Sequence, residues 1–157
     1  MLFRSNLSLD ADKCGKKELF RAIEENAAFV TLGNLKLIEN LTGTFPSEVI
    51  FAGGAAKGQL WPQILSDVLG IPVKVPVVKE AAALGAAIAA GVGAGIYSSM
   101  EETAEQFVQW ENTFEPITEN HELYKEFYET WKTVYSSQLA LADKGLTTHM
   151  WIAPGAL

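Results

Sequence analysis

Cysteine is almost missing from this chain: Cys14 stands alone among 157 residues, so no disulfide can close within it and no cysteine zinc pattern exists. Histidine is nearly as scarce. His121 and His149 lie far apart, without the cysteine or carboxylate spacing that a zinc centre needs, and both read as surface or cap residues. Positive charge is in short supply as well, 12 Lys and Arg against 19 Asp and Glu giving a formal net charge of -7. The basic residues are scattered, which excludes nucleic acid as a partner because a phosphate backbone demands a basic stripe. Long apolar runs are lacking too. The longest, Ala81 to Ile96, has sixteen residues, below the roughly 18 to 20 that a spanning helix requires, and no membrane partner is expected. No charged segment followed by an apolar one opens the chain, so a reducing cytoplasm is the expected location. Ser98, Ser99 and Cys14 have no paired base in sight, which leaves nucleophilic catalysis without support.

What is present has the makeup of an ordinary globular domain, 48% hydrophobic and 20% charged. Leu19, Ile23, Ala27, Val30, Leu37, Ile38 and Leu41 recur at three- and four-residue steps and predict a long amphipathic helix over 16–41 that stops near Thr42-Gly43. Strands are expected at 49–52 and 73–75, a helix at 60–69 ended by Gly70, and a helix at 80–90. In that last helix Ala82, Gly85, Ala86 and Ala89 form a smooth face suited to tight internal packing. Ser98 or Ser99 with Glu101 or Glu102 makes a capping box for a helix to about Val108, and a loop around Pro116 follows. Asn120 is placed to cap a final helix, in which Leu123, Phe127, Trp131, Val134, Leu139 and Leu141 supply the expected buried face until Asp143-Lys144-Gly145 ends it, and the aromatic series Tyr124, Phe127, Tyr128, Trp131 and Tyr135 has the spacing of core and domain-contact surface. A third strand is placed around Phe3 to Leu9, and the tail from Leu146 is irregular. The order is α/β, yet two or three strands rarely make an independent sheet. With the abrupt opening at Met1-Leu2-Phe3, this leads to the expectation of a C-terminal part of something larger.

The densest signal lies in Val49-Ile50-Phe51-Ala52-Gly53-Gly54-Ala55-Ala56-Lys57-Gly58-Gln59-Leu60-Trp61, where an apolar strand breaks into paired glycines before an amphipathic helix. Gly53 and Gly54 are expected at positive φ, letting a ligand approach the backbone, and the helix N-terminus beyond offers free N–H groups to an anion. A tight turn with no ligand is the plainer account. Lys57 either reaches a phosphate or is a solvated charge. Asp67, one turn from Gln63, and Glu80, at a helix start, are either structural carboxylates or aids to a metal or a nucleotide hydroxyl.

Gly53 to Gln63, then Asp67 and Gly70, then Pro76-Val77-Val78-Lys79-Glu80-Ala81-Ala82-Ala83-Leu84-Gly85-Ala86-Ala87, with Arg21-Ala22-Ile23-Glu24-Glu25 upstream, resemble the C-terminal domain of the FGGY carbohydrate kinases. The resemblance covers nearly the whole chain. It implies an actin-like, ribonuclease-H-like α/β domain, helix-rich with a short sheet, and transfer of a phosphoryl group from ATP, with Mg²⁺, to a hydroxyl of a sugar or polyol. It further implies that Gly53 and Gly54 meet the phosphates through backbone N–H groups and that Ala55, Ala56, Lys57 and Gly58 border the adenosine. Many relatives have Ser or Asn where Gly58 stands. Ala90 to Thr103, His121 to Tyr124, Gly145 to Thr148 and Trp151 to Gly155 look most like the member acting on a dihydroxypentanedione signal in the cytoplasm, with a xylulose kinase as the alternative. In this family the catalytic aspartate and the sugar contacts lie mainly in the N-terminal domain, and none of that is present. Residues 1–157 are therefore expected to be a C-terminal domain lacking its first strands, with no catalytic residue and no metal ligand of their own, inactive alone. A non-catalytic nucleotide-binding module is the second reading.

Overall fold

A computed structural model describes residues 15–147. The strand expected around Phe3 to Leu9, Cys14, His149 and the tail from Thr148 onward lie outside the described residues. The chain first forms helix α1, Lys16–Thr42, ended by Gly43 at φ 76, whose N–H donates to the Glu39 carbonyl at 2.7 Å. Glycine suits that left-handed cap because it has no Cβ to strain. Strand β1, Val49–Ile50, leads into a 3₁₀ turn, Gly54–Lys57, and helix α2, Leu60–Leu69. Strand β2, Val73–Pro76, helix α3, Ala81–Gly93, and helix α4, Met100–Phe107, follow. Strand β3, Trp110–Phe114, and helix α5, Thr118–Asp143, complete the described order.

The three strands form one sheet in the order β1-β2-β3. β1 runs parallel to β2, with Val49 opposite Val73, so α2 is the crossover between them. β3 runs antiparallel to β2, with Val73 opposite Phe114, and the register shifts between Val75 and Pro76. The core lies where α1, α2 and α5 meet one face of this sheet. Phe29 sits at its centre, 5.9 Å edge-on from Tyr124 and within 6.0 Å of Tyr128 and 5.9 Å of Trp131. Tyr124, Tyr128 and Trp131 of the last helix are thus a packing face, whereas Tyr135 and the expected buried residues Leu123 and Leu139 are exposed, since α5 meets α1 and α2 along the aromatic stripe instead.

Five expectations are corrected. The apolar steps of α1 do not mark its buried face: Leu19, Ile23, Val30, Leu37, Ile38 and Leu41 are exposed, and Ala28, Phe29 and Leu32 are the residues it buries, because those are the ones facing α2 and α5. Around Pro116 a loop was expected with no strand before it, yet Trp110–Phe114 pairs with β2; its polar Glu111 and Asn112 hide a strand that exists through its non-local partner. Asn120 does not cap α5, which starts two residues earlier; its side-chain amide donates to Asp67 Oδ2 at 2.8 Å instead. The glycine pair does not enter α2 directly, since the 3₁₀ turn intervenes. The small-residue face of α3 is not internal: Ala82, Ala86 and Ala89 are exposed and only Ile88 and Gly91 are buried in that helix. Of the expected capping box only half forms: Ser99 Oγ accepts from the Glu102 N–H at 3.2 Å, but the Glu102 carboxylate accepts from Ser98 Oγ rather than from the Ser99 N–H.

Asp67 resolves to the structural reading. Its carboxylate is 3% exposed, and it accepts from Gln63 Nε2, the Ile117 N–H and Asn120 Nδ2, each at 2.8 Å. These bonds fasten α2 to the start of α5. His121 joins the same junction, its Nδ1–H donating to the Asp67 carbonyl at 2.8 Å, and its ring lies over Gly70. Gly70 ends α2 at φ 72, and a Cβ there would meet His121 Cε1 at 2.4 Å. Gly70→Ala is accordingly expected to cost about 2 kcal/mol, from left-handed strain and displacement of the imidazole. Urea titrations of Gly70→Ala, His121→Ala and the double variant check this. The double variant should lose clearly less than the sum of the singles, whereas strict additivity would mean that the ring does not crowd Gly70.

Candidate functional site

The residues singled out by sequence lie together where β1 ends. The chain leaves β1 through Phe51, whose N–H donates to the Lys74 carbonyl at 2.9 Å, and turns at Gly53. Gly53 adopts φ 90 and ψ -172, a conformation closed to residues with a side chain. Gly54 does not share it, since positive φ occurs at Gly53 and not at Gly54. Gly54 instead opens the 3₁₀ turn, with nothing within 4 Å of where its Cβ would stand. The two glycines therefore differ: Gly53 bends the chain, while Gly54 leaves a bare, open surface.

The backbone donors of the turn divide in the same way. The Gly53 N–H is taken by the Lys79 carbonyl at 2.8 Å, and the Ala56 N–H returns to the Gly53 carbonyl at 3.1 Å. Gly54 and Ala55 N–H groups donate to no acceptor among the described residues. Two adjacent free N–H groups on an open glycine surface suit an oxyanion. Ala56 is buried and anchors the turn, whereas Gly54, Lys57 and Gly58 are exposed. Gly58 is extended at φ -93 and ψ 160, with nothing within 4 Å of its would-be Cβ. A serine or asparagine would fit there without strain.

Charge around the turn is set by Lys57, Lys79 and Glu80. Lys57 Nζ lies 3.3 Å from Glu80 Oε1 across the turn. Hydrogen bonding to that ammonium holds the Glu80 carboxyl below the ordinary range, with its own backbone N–H helping. Sequence reasoning missed Lys79. Its carbonyl fixes Gly53, while its ammonium reaches the Pro76 carbonyl at 2.6 Å and pairs with Glu111 on β3. No local signal announces this, because Glu111 belongs to a strand that was not expected.

Beside the turn an apolar cavity of about 260 Å³ opens between the second face of the sheet and helices α3 and α4, lined by Ala52, Val78, Leu84, Gly85, Ile88 and Met100 among others. Its walls carry almost no polar atoms, so a phosphate would lose its hydration there without compensation. Among the described residues no three His, Cys, Asp or Glu side chains gather as a metal centre requires, and no helix is long and apolar enough to cross a membrane.

This geometry agrees with what comparisons find. Residues 4–94 match the model of the C-terminal domain of the FGGY family of carbohydrate kinases. The chain is 59% identical over 150 residues to autoinducer-2 kinase of Escherichia coli O9:H4 (strain HS), a match taking in 96% of this chain and 28% of the relative. Among solved structures it resembles xylulose kinase from Rhodospirillum rubrum, at 22% identity and a TM-score of 0.69 over 87% of this chain and 27% of that one. It also resembles Plasmodium falciparum glycerol kinase with ADP, at 19% identity and a TM-score of 0.67 over 85% and 26%. The fold is that of these actin-like, ribonuclease-H-like kinases, and the chain spans 28% of the length of the curated relatives it matches. Because that family model spans residues 4–94, more than half of the chain and inclusive of the glycine turn and α3, the chain belongs to the FGGY family of carbohydrate kinases, whose C-terminal domain it carries.

Proposed function

We propose that this chain is the ATP-holding part of a kinase that phosphorylates a hydroxyl of autoinducer-2, a dihydroxypentanedione signal of bacterial quorum sensing, in the cytoplasm. The observation that carries the proposal is the glycine turn: Gly53 at φ 90 presents Gly54 with open space above it and leaves the Gly54 and Ala55 N–H groups without an acceptor among the described residues. A bare backbone with free donors is what a phosphate cradle needs. Gly54 and Ala55 would hold the phosphates, Lys57 would add charge at the rim, and Gly58 would border the adenosine, with the buried Ala56 holding the turn beneath them. ATP supplies the phosphoryl group and Mg²⁺ the neutralising charge on its oxygens.

The 59% identity to autoinducer-2 kinase supports that substrate over xylulose. The 28% share supports a division of labour, in which the general base, the sugar pocket, the first strands of this domain and the N-terminal kinase domain belong to the remaining length. Isolated, the chain would then bind nucleotide and transfer nothing.

Joining this chain to the remaining length of the Escherichia coli relative tests the reading. The joined protein should convert ATP to ADP only when dihydroxypentanedione is present. Within it, Gly54→Ala should weaken ATP binding more than about tenfold, which corresponds to roughly 1.4 kcal/mol. Stability should change by no more than about 1 kcal/mol, because the new methyl meets open space. Lost stability with unchanged affinity of the folded protein would reduce the turn to a structural one.

A further inference from the structure

Lys57 and Glu80 come from separate segments and meet at the rim of the turn, 3.3 Å apart. Their meeting is not left to flexible side chains alone, since the neighbouring Lys79 carbonyl binds the Gly53 N–H at 2.8 Å and fixes the two backbones against each other. Residues 53–57 and 79–80 thus form a closed frame, one side a backbone bond and the other an ion pair. The pair is exposed, 62% for Lys57 and 67% for Glu80. Such a pair is weak in water and yields to a stronger anion. The free Gly54 and Ala55 N–H groups lie within the same frame.

Resting on the nucleotide reading above, we propose that Glu80 is a positioning residue, which parks the Lys57 ammonium at the rim of the turn and surrenders it to an arriving polyphosphate. A triphosphate carries several negative charges, against one on Glu80, and it engages the backbone donors at the same time. Lys57 therefore changes partners when the nucleotide enters. Glu80 acts through Lys57, so neutralising it releases the ammonium in advance and strengthens phosphate binding. Without Lys57 there is nothing to release.

Calorimetric titration of the 157-residue chain and of Lys57→Met, Glu80→Gln and the double variant, each with MgATP and separately with adenosine, tests this. Glu80→Gln should tighten MgATP by about threefold, the scale of an exposed ion pair. Lys57→Met should weaken it by about tenfold, and adding Glu80→Gln to Lys57→Met should change nothing further. Adenosine affinity should be the same in all four, because it lacks phosphates; a merely structural role would shift adenosine as well, and that result overturns the inference. Equal tightening in both backgrounds overturns it too, since Glu80 would then act as a simple negative charge. MgATP binding that ignores Glu80→Gln removes the inference alone. Absence of MgATP binding in all four proteins removes the nucleotide reading, and the inference with it.

Discussion

Trp131→Ala is expected to destabilise the chain by about 4 kcal/mol, within the range of buried aromatic truncations. Trp131 is 4% exposed and lies between Tyr135, stacked at 4.8 Å, and Tyr128, stacked at 5.8 Å. It also closes on Phe29 of α1, and its indole N–H donates to Asn26 Oδ1 at 2.9 Å. Removing the ring therefore leaves a cavity, breaks an aromatic column and strands an amide on the facing helix. A total stability of roughly 5–15 kcal/mol is usual for a domain, so most of the folded population is at stake. Trp131→Phe separates the contributions, as it keeps a ring and loses the indole donor, at an expected cost of about 1–2 kcal/mol. Urea unfolding followed by far-ultraviolet circular dichroism measures both. A loss below 1 kcal/mol for Trp131→Ala would mean that α1 and α5 do not depend on this column.

Asp67→Ala should cost about 3 kcal/mol, although no apolar surface of note is removed. The carboxylate accepts three hydrogen bonds from Gln63, Ile117 and Asn120, and truncation takes this acceptor from the Ile117 N–H and the Asn120 amide at a partly buried junction, while the Gln63 amide keeps its bond to the Glu115 carbonyl. Breaking charged hydrogen bonds and orphaning buried donors costs more than the net value of the bonds themselves. Asp67→Asn should cost less than half as much, because its amide oxygen still accepts. The loss should also be local, as the start of α5 is tied to α2 here. Hydrogen exchange at the Ile117 amide is therefore expected to rise in Asp67→Ala by more than global unfolding explains. Equal losses for Ala and Asn would show that the packing of residue 67 matters rather than its acceptors.

The difference between Asp67 and Glu80 illustrates what sequence can convey about a carboxylate. Both were open to a structural or a ligand-assisting reading. Asp67 faces three donors at a partly buried helix junction, whereas Glu80 stands exposed with one lysine across the turn. Nothing in their immediate neighbours distinguishes them. Their difference arises from which segments the fold brings alongside.

Features that depend on neighbours in the chain were legible from the residues alone. The span of α1, its left-handed stop at Gly43, the stop of α2 at Gly70 and the Ser99 cap of α4 each arise from local sterics or local hydrogen bonds, whereas the face α1 buries, Ala28, Phe29 and Leu32, did not follow from its apolar steps. The order of motifs from Gly53 to Ala87 was sufficient to indicate the family. Tertiary structure decided the rest. β3 became a strand because β2 offered it an edge, and Asn120 left its cap for Asp67, which lies 53 residues away. Gly53 gave its N–H to Lys79, so the free donors passed to Gly54 and Ala55, and Lys57 found Glu80 on another segment. The physical reason is the same in each case: a backbone or side-chain polar group takes the partner that folding places within about 3 Å, and no periodicity along the chain encodes which distant residue that will be.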